Sequence, residues 1–467
     1  MRRTCRFFSL AAVLVLLCTA AVPALGETWY PALPEEMPEI YLTTDDGSSH
    51  FAVAYTREEK LQGMIDYVDG AVTVAGGEGA SLRNAKAQLK ARGNWTLNYP
   101  KKSIRIKFEK KQSLLGMNGG NAYRSWVLLA EWKDLSMLHS PVAFFLARNI
   151  LGADGYYCTD YRFVHLYLNG EYWGVYLLVE QQEVNPGRVD VAEGEGTGRL
   201  TGYLMEYDAY FKEEQQLPSG DPAFEVYHTG LTGEQYGYTV KSRLENNRQK
   251  AFLRSCMRLI YRTCYAAVNE GEYFTFNEKY TELVPFEGKN VEETVGRVMD
   301  IQSLVDTYIL QEIVCNPDVG WSSFYMSLDL SPHADGKLTF EAPWDFDSCF
   351  GIRSGYEENQ GLYARYAGNP WLQLFAGEAW FEERVKARWA QLKAAGLPEQ
   401  TMAFIDALME NYGADIGRNY SRWPQRITDG NEELIEELNS FTSQPQAVDY
   451  LRRWLQTRFD YLDSQWQ

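Results

Sequence analysis

The sequence predicts an α+β fold with a β-rich first lobe and an α-rich second lobe. Between Glu39 and about Ile106, short runs of β-branched and aromatic residues alternate with Gly and Asp turns, as in strands. From Trp371 to the end, apolar residues recur at helical spacing. Of 467 residues, 45% are hydrophobic and 23% are charged, which is typical of globular proteins. This composition excludes a wholly disordered chain, a collagen-like fibre and a multi-span membrane protein.

The first 26 residues are expected to be a secretory signal peptide. An apolar stretch from Phe7 through Val22 precedes small residues at Ala24 and Gly26, as at a cleavage site before Glu27. The basic residues that open such a peptide are Arg2, Arg3 and Arg6. An uncleaved anchor is the alternative, although the apolar run is short for one. No later run is long and apolar enough to span a bilayer, so we expect no transmembrane segment after cleavage and a secreted or cell-surface location.

The remaining chain divides into a linker at 27–37, rich in Pro and Glu, and a domain over 38–467. Its first lobe, about 38–210, has predicted strands at EIYLTT, HFAVAY, AVTVAGG and KSIRIKF. A helix is predicted from Leu135 to Leu151, ended by Gly152. The strands YRFVHLYL and YWGVYLLVE follow, joined by Asn169-Gly170, a strong hairpin signal, and then GYLMEYD. A polar loop is expected around 211–235.

The second lobe, about 236–467, begins with predicted helices at 246–270 and 291–315. A compact hairpin of SSFYMSLD and KLTFEAPWDFD comes next. A helical C-terminal extension completes the chain from Trp371 onward.

The formal net charge is −18, which makes nucleic acid an unsuitable partner, because neutralising phosphates requires clustered Lys and Arg. An anionic ligand must therefore meet a local cationic pocket or a metal. Beyond the signal peptide lie five cysteines, an odd and sparse number that does not form a disulfide framework. We expect them to be buried free thiols; they are Cys158, Cys256, Cys264, Cys315 and Cys349.

Two acidic clusters carry the strongest chemical signal. Asp318 lies in NPDVGWSS, before one strand of the predicted hairpin, and Asp345 and Asp347 lie in PWDFD, at the end of the other. The hairpin would bring the three carboxylates to the same end, where they repel one another unless a cation neutralises them. Hard divalent ions take carboxylate oxygens as ligands. The alternative is that Asp345 and Asp347 only cap a turn and the segment that follows.

Lysines open the predicted strand KSIRIKF. Alternation places Lys102 on the apolar face with Ile104 and Ile106, whereas Lys101 and Arg105 would face water. An inward lysine needs an acid or a bound phosphate as its partner. A lysine that only snorkels at the start of the strand is the alternative.

Together these motifs resemble the spore coat protein H (CotH) kinase family, an atypical branch of the protein-kinase-like fold. The matching stretches run in family order across roughly 85–351, and the helical C-terminal tail is also similar to the family's. They are ARGNWTLNYPKKSIRIKF, SLLGM, SWVLLAEWKDLSMLHSPVAFFLARNILG, FVHLYLNGEYWGVYLLVEQQE, the Asp318–Tyr325 segment and APWDFDSCFG.

The resemblance implies a secreted or surface kinase that uses ATP and a divalent metal, Mg or Mn, to phosphorylate Ser or Thr of a coat or surface protein. It implies that Asp318 orients and deprotonates the acceptor hydroxyl. Asp345 would bind the metal that bridges the phosphates, with Asp347 as a further ligand. Ser323 lies where founding members carry a metal-binding Asn, and its hydroxyl is a weaker ligand.

For the nucleotide, the resemblance makes Lys102 the candidate phosphate-binding lysine. Arg92 lies in the Arg-Gly-Asn turn that replaces the Gly-rich loop of ordinary kinases. Glu180, at the end of a predicted strand, would be a hinge or salt-bridge residue. Two other classes stay open: a pseudokinase that serves as a spore-coat or surface-adhesion module, and a purely structural envelope protein. Convergence of Asp318, Asp345 and Lys102 in one pocket would distinguish the kinase from these classes.

Overall fold

The structure is a computed structural model that describes residues 28–193, 198–217, 220–230 and 236–467. The expected signal peptide lies outside the described residues. The strands are β1 (Glu39–Thr44), β2 (Val68–Ala75), β3 (Leu82–Arg92), β4 (Ser103–Gln112), β5 (Tyr123–Leu129), β6 (Tyr161–Leu168), β7 (Glu171–Glu180), β8 (Gly202–Tyr207), β9 (Ala223–Val226), β10 (Tyr236–Val240), β11 (Phe274–Phe276), β12 (Leu283–Pro285), β13 (Phe324–Asp329) and β14 (Leu338–Phe340).

The helices follow the same order along the chain. They are α1 (Arg57–Leu61), α2 (His139–Ile150), α3 (Phe211–Glu214), α4 (Asn247–Tyr265), α5 (Val291–Val298), α6 (Ile301–Val314), α7 (Pro370–Phe375), α8 (Ala379–Ala394), α9 (Leu397–Arg422), α10 (Gln425–Thr428), α11 (Glu436–Asn439) and α12 (Gln444–Trp466). The expected mixed fold, with a β-rich N-terminal region and a helical C-terminus, is confirmed.

The first seven strands close into a barrel in the order β1-β2-β3-β4-β5-β7-β6. Neighbouring strands of the barrel are antiparallel except for β1 and β6, which run parallel and complete the closure. Alternate residues of each strand point to the same side and form one apolar core cluster. Members of this cluster from successive strands include Leu42, Val72, Leu89, Ile106, Trp126, Val164 and Tyr176.

A second sheet, in the order β14-β13-β8-β10-β9, lies beside the helices in the larger core cluster. β8 falls within the predicted first lobe, yet it pairs antiparallel with β13 of the second lobe. The predicted linker also packs on the helices. The amide of Trp29 donates to Asn149 Oδ1 at 2.8 Å, and the hydroxyl of Tyr412 donates to the carbonyl of Pro34 at 3.1 Å.

The Asn169-Gly170 hairpin is confirmed, since β6 and β7 pair across it and both residues have positive φ, 51° and 87°. The predicted strand HFAVAY is wrong, because His50–Ala52 forms a 3-10 turn. The predicted helix over 291–315 is two helices. Met299 between them has extended angles, φ −138° and ψ 144°, and the side chain of Asp300 accepts from Ser303 N to begin α6.

The five cysteines from Cys158 to Cys349 are free and buried, as expected. Among the described residues, no helix combines the length and the apolar character that crossing a bilayer requires.

Candidate active site

A cleft of about 930 Å³ opens between the barrel and the second sheet. One wall comes from β3, β4 and their connection, which includes Arg92 and Arg105. The opposite wall comes from the turn after α6 and from the segment after β14, with Asp318 and Asp345. The cleft thus collects side chains that are far apart in the sequence.

The turn after α6 presents Asp318. Cys315 ends α6 with φ 46°, and Asn316 then organises the turn by accepting from Asp318 N at 3.0 Å through Oδ1. Its Nδ2 donates to the carbonyl of Asp345 at 3.1 Å, which joins the two acidic segments. Arg353 holds the Asp318 carboxylate at 3.0 Å.

Asp345 and Ser323 face each other across the hairpin of β13 and β14. Both have left-handed backbone conformations, with φ 65° and 60°. The Ser323 hydroxyl donates to Asp345 Oδ2 at 3.1 Å, and the Ser323 amide donates to Glu206 Oε1 at 2.8 Å. Strained angles of this kind are typical of functional sites that the surrounding structure holds in place.

The carboxylates affect one another's ionisation. Burial raises the pKa of Asp345 to about 7, and Asp347 and Asp318 add to the rise, while Lys133 and Arg92 oppose it. Burial also raises the pKa of Asp318, against the effect of Lys133 and Arg353. The structure therefore brings Asp318, Ser323, Asp345 and Asp347 together in the cleft.

Lys133 is a cleft residue that the sequence reasoning missed. Its Nζ donates to Ser348 Oγ at 2.6 Å and lies 3.5 Å from Asp347 Oδ1 and 3.6 Å from Glu433 Oε2. Burial opposes the charged form, but Asp347, Tyr99, Asp318 and Glu433 together raise the pKa of Lys133. The available signal was its place just beyond a predicted apolar run, in AEWKD.

Seven cationic side chains line the cleft, and four of them form ion pairs with acids. These four are Lys60, Lys133, Lys241 and Arg353. The other three, Lys90, Arg92 and Arg105, have no ion pair with any acid in the described part of the chain. Lys90 and Arg105 lie directly opposite each other on β3 and β4, an arrangement of like charges that costs stability.

The surroundings of the three unpaired cations favour an anionic ligand. Burial, together with the neighbouring Arg105, lowers the pKa of Lys90, and burial lowers the pKa of Arg92. Arg105 Nε is buried without a hydrogen-bond partner in the described residues. Arg92 lies with its guanidinium 5.6 Å from the ring centre of Trp344, next to Asp345.

Lys102 does not join this group. It precedes β4, and its Nζ donates to the carbonyls of Leu97 at 2.6 Å and Tyr99 at 2.8 Å. The expectation that Lys101 faces water is wrong. Lys101 is buried, and its Nζ donates to the carbonyls of Ala130 at 2.8 Å and Val175 at 2.5 Å. The side-chain nitrogens of both lysines thus donate to backbone carbonyls, because the chain turns before the strand begins.

Glu180 also lies apart from the cleft lining. It is fully buried at the end of β7, with Arg188 Nε 3.1 Å from its Oε1. Asn118 Nδ2 donates to the same oxygen at 2.8 Å, and the amide of Asp160 donates to Oε2 at 3.0 Å. Glu180 was expected to be a hinge or salt-bridge residue, and the structure shows a salt bridge with Arg188.

A second acidic pair in the cleft was not anticipated from the sequence. Glu206 lies in β8 and Asp208 comes directly after the strand, and Lys241 Nζ lies 2.9 Å from Glu206 Oε2. Burial and the charge of Glu206 raise the pKa of Asp208 to about 7. Each acid of this pair becomes a cleft residue only because β8 pairs with β13.

The family resemblance implies a divalent ion, and the oxygen atoms in the cleft can be compared with the ligands that such an ion needs. Within the described residues, no three His, Cys, Asp or Glu side chains are grouped to hold an ion by themselves. Mg²⁺, however, is usually bound through one or two carboxylates together with substrate phosphates. Asp345 and Asp347, with the hydroxyl of Ser323, fit an ion that arrives with a nucleotide.

The family model described as CotH kinase protein matches residues 89–258 and 264–462, well over half of the chain. The chain belongs to the CotH kinase family. This confirms the resemblance noted in the sequence. None of the curated proteins compared with it matches the chain. In this CotH kinase family member, the matched ranges include Arg92, Asp318, Ser323, Asp345 and Glu433, so most of the cleft lining lies within the family's own region.

Proposed function

We propose that this protein is an exported, metal-dependent kinase that transfers the γ-phosphoryl group of ATP to Ser or Thr of a protein substrate. The observation that supports this best is that the cleft carries cations on one wall and carboxylates on the other. Unpaired cations on β3 and β4 face the carboxylates of Asp318, Asp345 and Asp347. The cleft between a strand-rich and a helix-rich region supports a protein-kinase-like arrangement, and the predicted signal peptide supports export.

The nucleotide phosphates would bind to Lys90, Arg92 and Arg105. In a chain with a net charge of −18, cations without acidic partners are sites where a polyphosphate gains attraction and displaces no ion pair. An anion bound there would also reduce the repulsion between the like charges of Lys90 and Arg105, which face each other on β3 and β4. Lys102 is not suited to this role, since two carbonyl groups already occupy its ammonium.

Asp345 and Asp347 would hold the metal, with Ser323 as a neutral oxygen donor beside Asp345. A divalent ion bound there with ATP supplies charge neutralisation at the transferred phosphoryl group. Lys133, 3.5 Å from Asp347, keeps that carboxylate oriented.

Asp318 would orient the acceptor hydroxyl and accept its proton while the oxygen–phosphorus bond forms and ADP leaves. Its raised pKa makes the carboxylate a better proton acceptor than an exposed aspartate. Arg353 and Asn316 fix its position.

Nucleotide binding can be tested by the thermal shift of the full chain with Mn²⁺ and ATP. The wild type should melt at a higher temperature with MnATP, since a ligand that binds only the folded state stabilises it. Arg92→Gln and Arg105→Gln should lose most of this shift. Arg384→Gln is the matched control, because Arg384 pairs with Glu292 outside the cleft. Absence of a shift in the wild type would contradict the nucleotide site.

A pseudokinase that binds but does not transfer is the second candidate, favoured by the Ser in place of Asn at Ser323. Transfer from γ-labelled ATP separates the two. Asp345→Asn should abolish transfer while the thermal melt without ligand stays close to that of the wild type. Binding without transfer in the wild type would support the pseudokinase instead.

A further inference from the structure

Glu433 connects three parts of the cleft. It lies on the segment between α10 and α11, far along the chain from both walls. Its Oε1 accepts hydrogen bonds from the indole Nε1 of Trp95 and from the hydroxyl of Tyr99, the latter at 2.9 Å. Its Oε2 lies 3.6 Å from Lys133 Nζ. One carboxylate therefore joins the β3–β4 connection to the lysine beside Asp347.

The backbone of Glu433 is fixed. Its carbonyl accepts from Ser354 N at 2.9 Å, and its amide donates to Asn431 Oδ1 at 2.9 Å. Its neighbour Leu434 forms an antiparallel bridge with Arg353, the residue that pairs with Asp318. The segment that carries Glu433 is therefore bonded to the segment of Arg353, whose side chain holds Asp318.

Glu433 contacts the connection between β3 and β4, of which residues 93–99 are called the cleft loop. It contains the short 3-10 helix Trp95–Asn98, in which Leu97 is the buried residue. Trp95 is 48% exposed although its indole nitrogen is bonded. Two further bonds tie the loop to α1, since Asn94 Oδ1 accepts from Lys60 Nζ and Asn98 Oδ1 accepts from the amide of Arg57 at 3.2 Å. Because apolar packing holds only a small part of this loop, these bonds and those to Glu433 and Lys102 together maintain its order.

We propose that Glu433 is a positioning residue that holds the cleft loop over the site and shares Lys133 with Asp347. Lys133 has two acidic neighbours at nearly equal distance, Asp347 at 3.5 Å and Glu433 at 3.6 Å. Without Glu433, the ammonium would move fully onto Asp347 and compete there with a metal ion. This second role rests on the proposed function, whereas the first does not.

Hydrogen exchange of the full chain tests the first role directly. Glu433→Ala should speed amide exchange in residues 93–99 by about tenfold or more, as expected when hydrogen bonds to a charged group are lost. Tyr99→Phe, which removes one hydroxyl, should speed the same amides by a smaller factor. Glu437→Ala is the matched control and should leave the loop unchanged, since Glu437, on nearby α11, pairs with Arg453 of α12. Exchange in Glu433→Ala equal to the wild type would overturn the anchoring role.

Glu433→Gln separates the two roles. Its amide oxygen can still accept from Trp95 and Tyr99, but it carries no charge for Lys133. We expect loop exchange close to that of the wild type, together with an Mn²⁺ requirement for phosphoryl transfer raised about 10–100-fold, the cost typical of lost supporting partners of metal ligands. An unchanged Mn²⁺ requirement would overturn the sharing of Lys133. If the wild type transfers no phosphate, the proposed function fails, and the exchange experiment still decides the anchoring role.

Discussion

At the scale of single residues, the proposed role of Ser323 as a metal ligand can be tested by substitution. Its φ of 60° lies in the left-handed region, which Asn tolerates better than most residues, and its hydroxyl lies 3.1 Å from Asp345 Oδ2. Ser323→Asn should therefore fold and offer a longer-reaching carbonyl oxygen. We expect a higher rate of transfer at limiting metal and little change at saturation, measured by Mn²⁺ titration.

The melting temperature of Ser323→Asn serves as the control, because a steric clash would lower it. A stable variant whose metal titration superimposes on the wild type would show that Ser323 does not serve the metal. The role that the family resemblance implies for this position would then be wrong.

Lys101 provides a prediction about stability and pH. Burial lowers its pKa from 10.5 to about 7, against the attraction of Glu131. Between these values the unfolded chain holds a proton that the folded chain has released, so the folded state becomes more stable as pH rises from about 7 to 10.5. The expected slope is about 1.4 kcal/mol per pH unit for this one group.

Lys101→Met removes that titration. The stability of the wild type relative to Lys101→Met, measured by urea unfolding, should increase by about 2–3 kcal/mol between pH 7.5 and pH 9.5. Equal changes with pH in the two proteins would mean that Lys101 stays protonated when buried. The comparison cancels the contributions of the other titrating groups.

The lysines also show what residue patterns can and cannot predict. Alternation predicts which face of a strand a residue occupies only if the first residue of the strand is known. β4 begins at Ser103, so its alternation does not extend to Lys101, which is buried like Lys102. Asp318 and Asp345 were found because short acidic motifs at hairpin ends are visible in the sequence. Lys133 and Glu433 were not, since their meeting depends on the tertiary fold.

At the scale of elements, Gly174 fixes the approach of α9 to the barrel. It has φ 117°, and a Cβ there would meet Asn419 Oδ1 at 2.5 Å and Trp423 Nε1 at 3.0 Å. Both side chains bond to β7, Asn419 through the amide of Val175 and Trp423 through the carbonyl of Trp173. Gly174→Ala should therefore strain the backbone and also push α9 from the sheet.

Gly155→Ala is the matched control for Gly174→Ala, since Gly155 has φ 90° and open space around its Cα. Backbone strain alone should cost the control about 1–2 kcal/mol in the free energy of unfolding. Gly174→Ala should cost clearly more in the same denaturant titration. Equal costs would mean that α9 does not depend on this close approach.

Elements with a strong local signal were predicted well, among them the Asn-Gly hairpin, α2 and the β13–β14 hairpin. β3 was missed because its buried positions Ala87, Leu89 and Ala91 include alanines, which have low strand propensity. The break at Met299 could not be predicted, since the apolar spacing continues through it. Tertiary pairing of Asp300 N with the carbonyl of Leu338 fixes that break.

At the scale of the whole molecule, the cleft is a product of barrel closure and of the pairing of β8 with β13. The parallel contact of β1 with β6 joins segments more than 120 residues apart, which no local pattern predicts. The same holds for the unpaired cations of β3 and β4, whose role depends on the acids opposite them. The family resemblance indicated a cleft and Arg92 within it, whereas Lys90, Arg105 and Lys133 were identified only from the structure.

Transfer of label from γ-labelled ATP into protein, with Mn²⁺ and either the chain itself or casein as acceptor, tests the central claim most directly. The wild type should incorporate label, and Asp318→Asn should lower the rate by about 10²–10⁴-fold, the contribution of a positioned proton acceptor. Asp463→Asn should match the wild type, since Asp463 lies on the distant α12 and pairs with Lys393 of α8. A wild type that incorporates no label, or an Asp318→Asn variant as active as the wild type, would contradict the account.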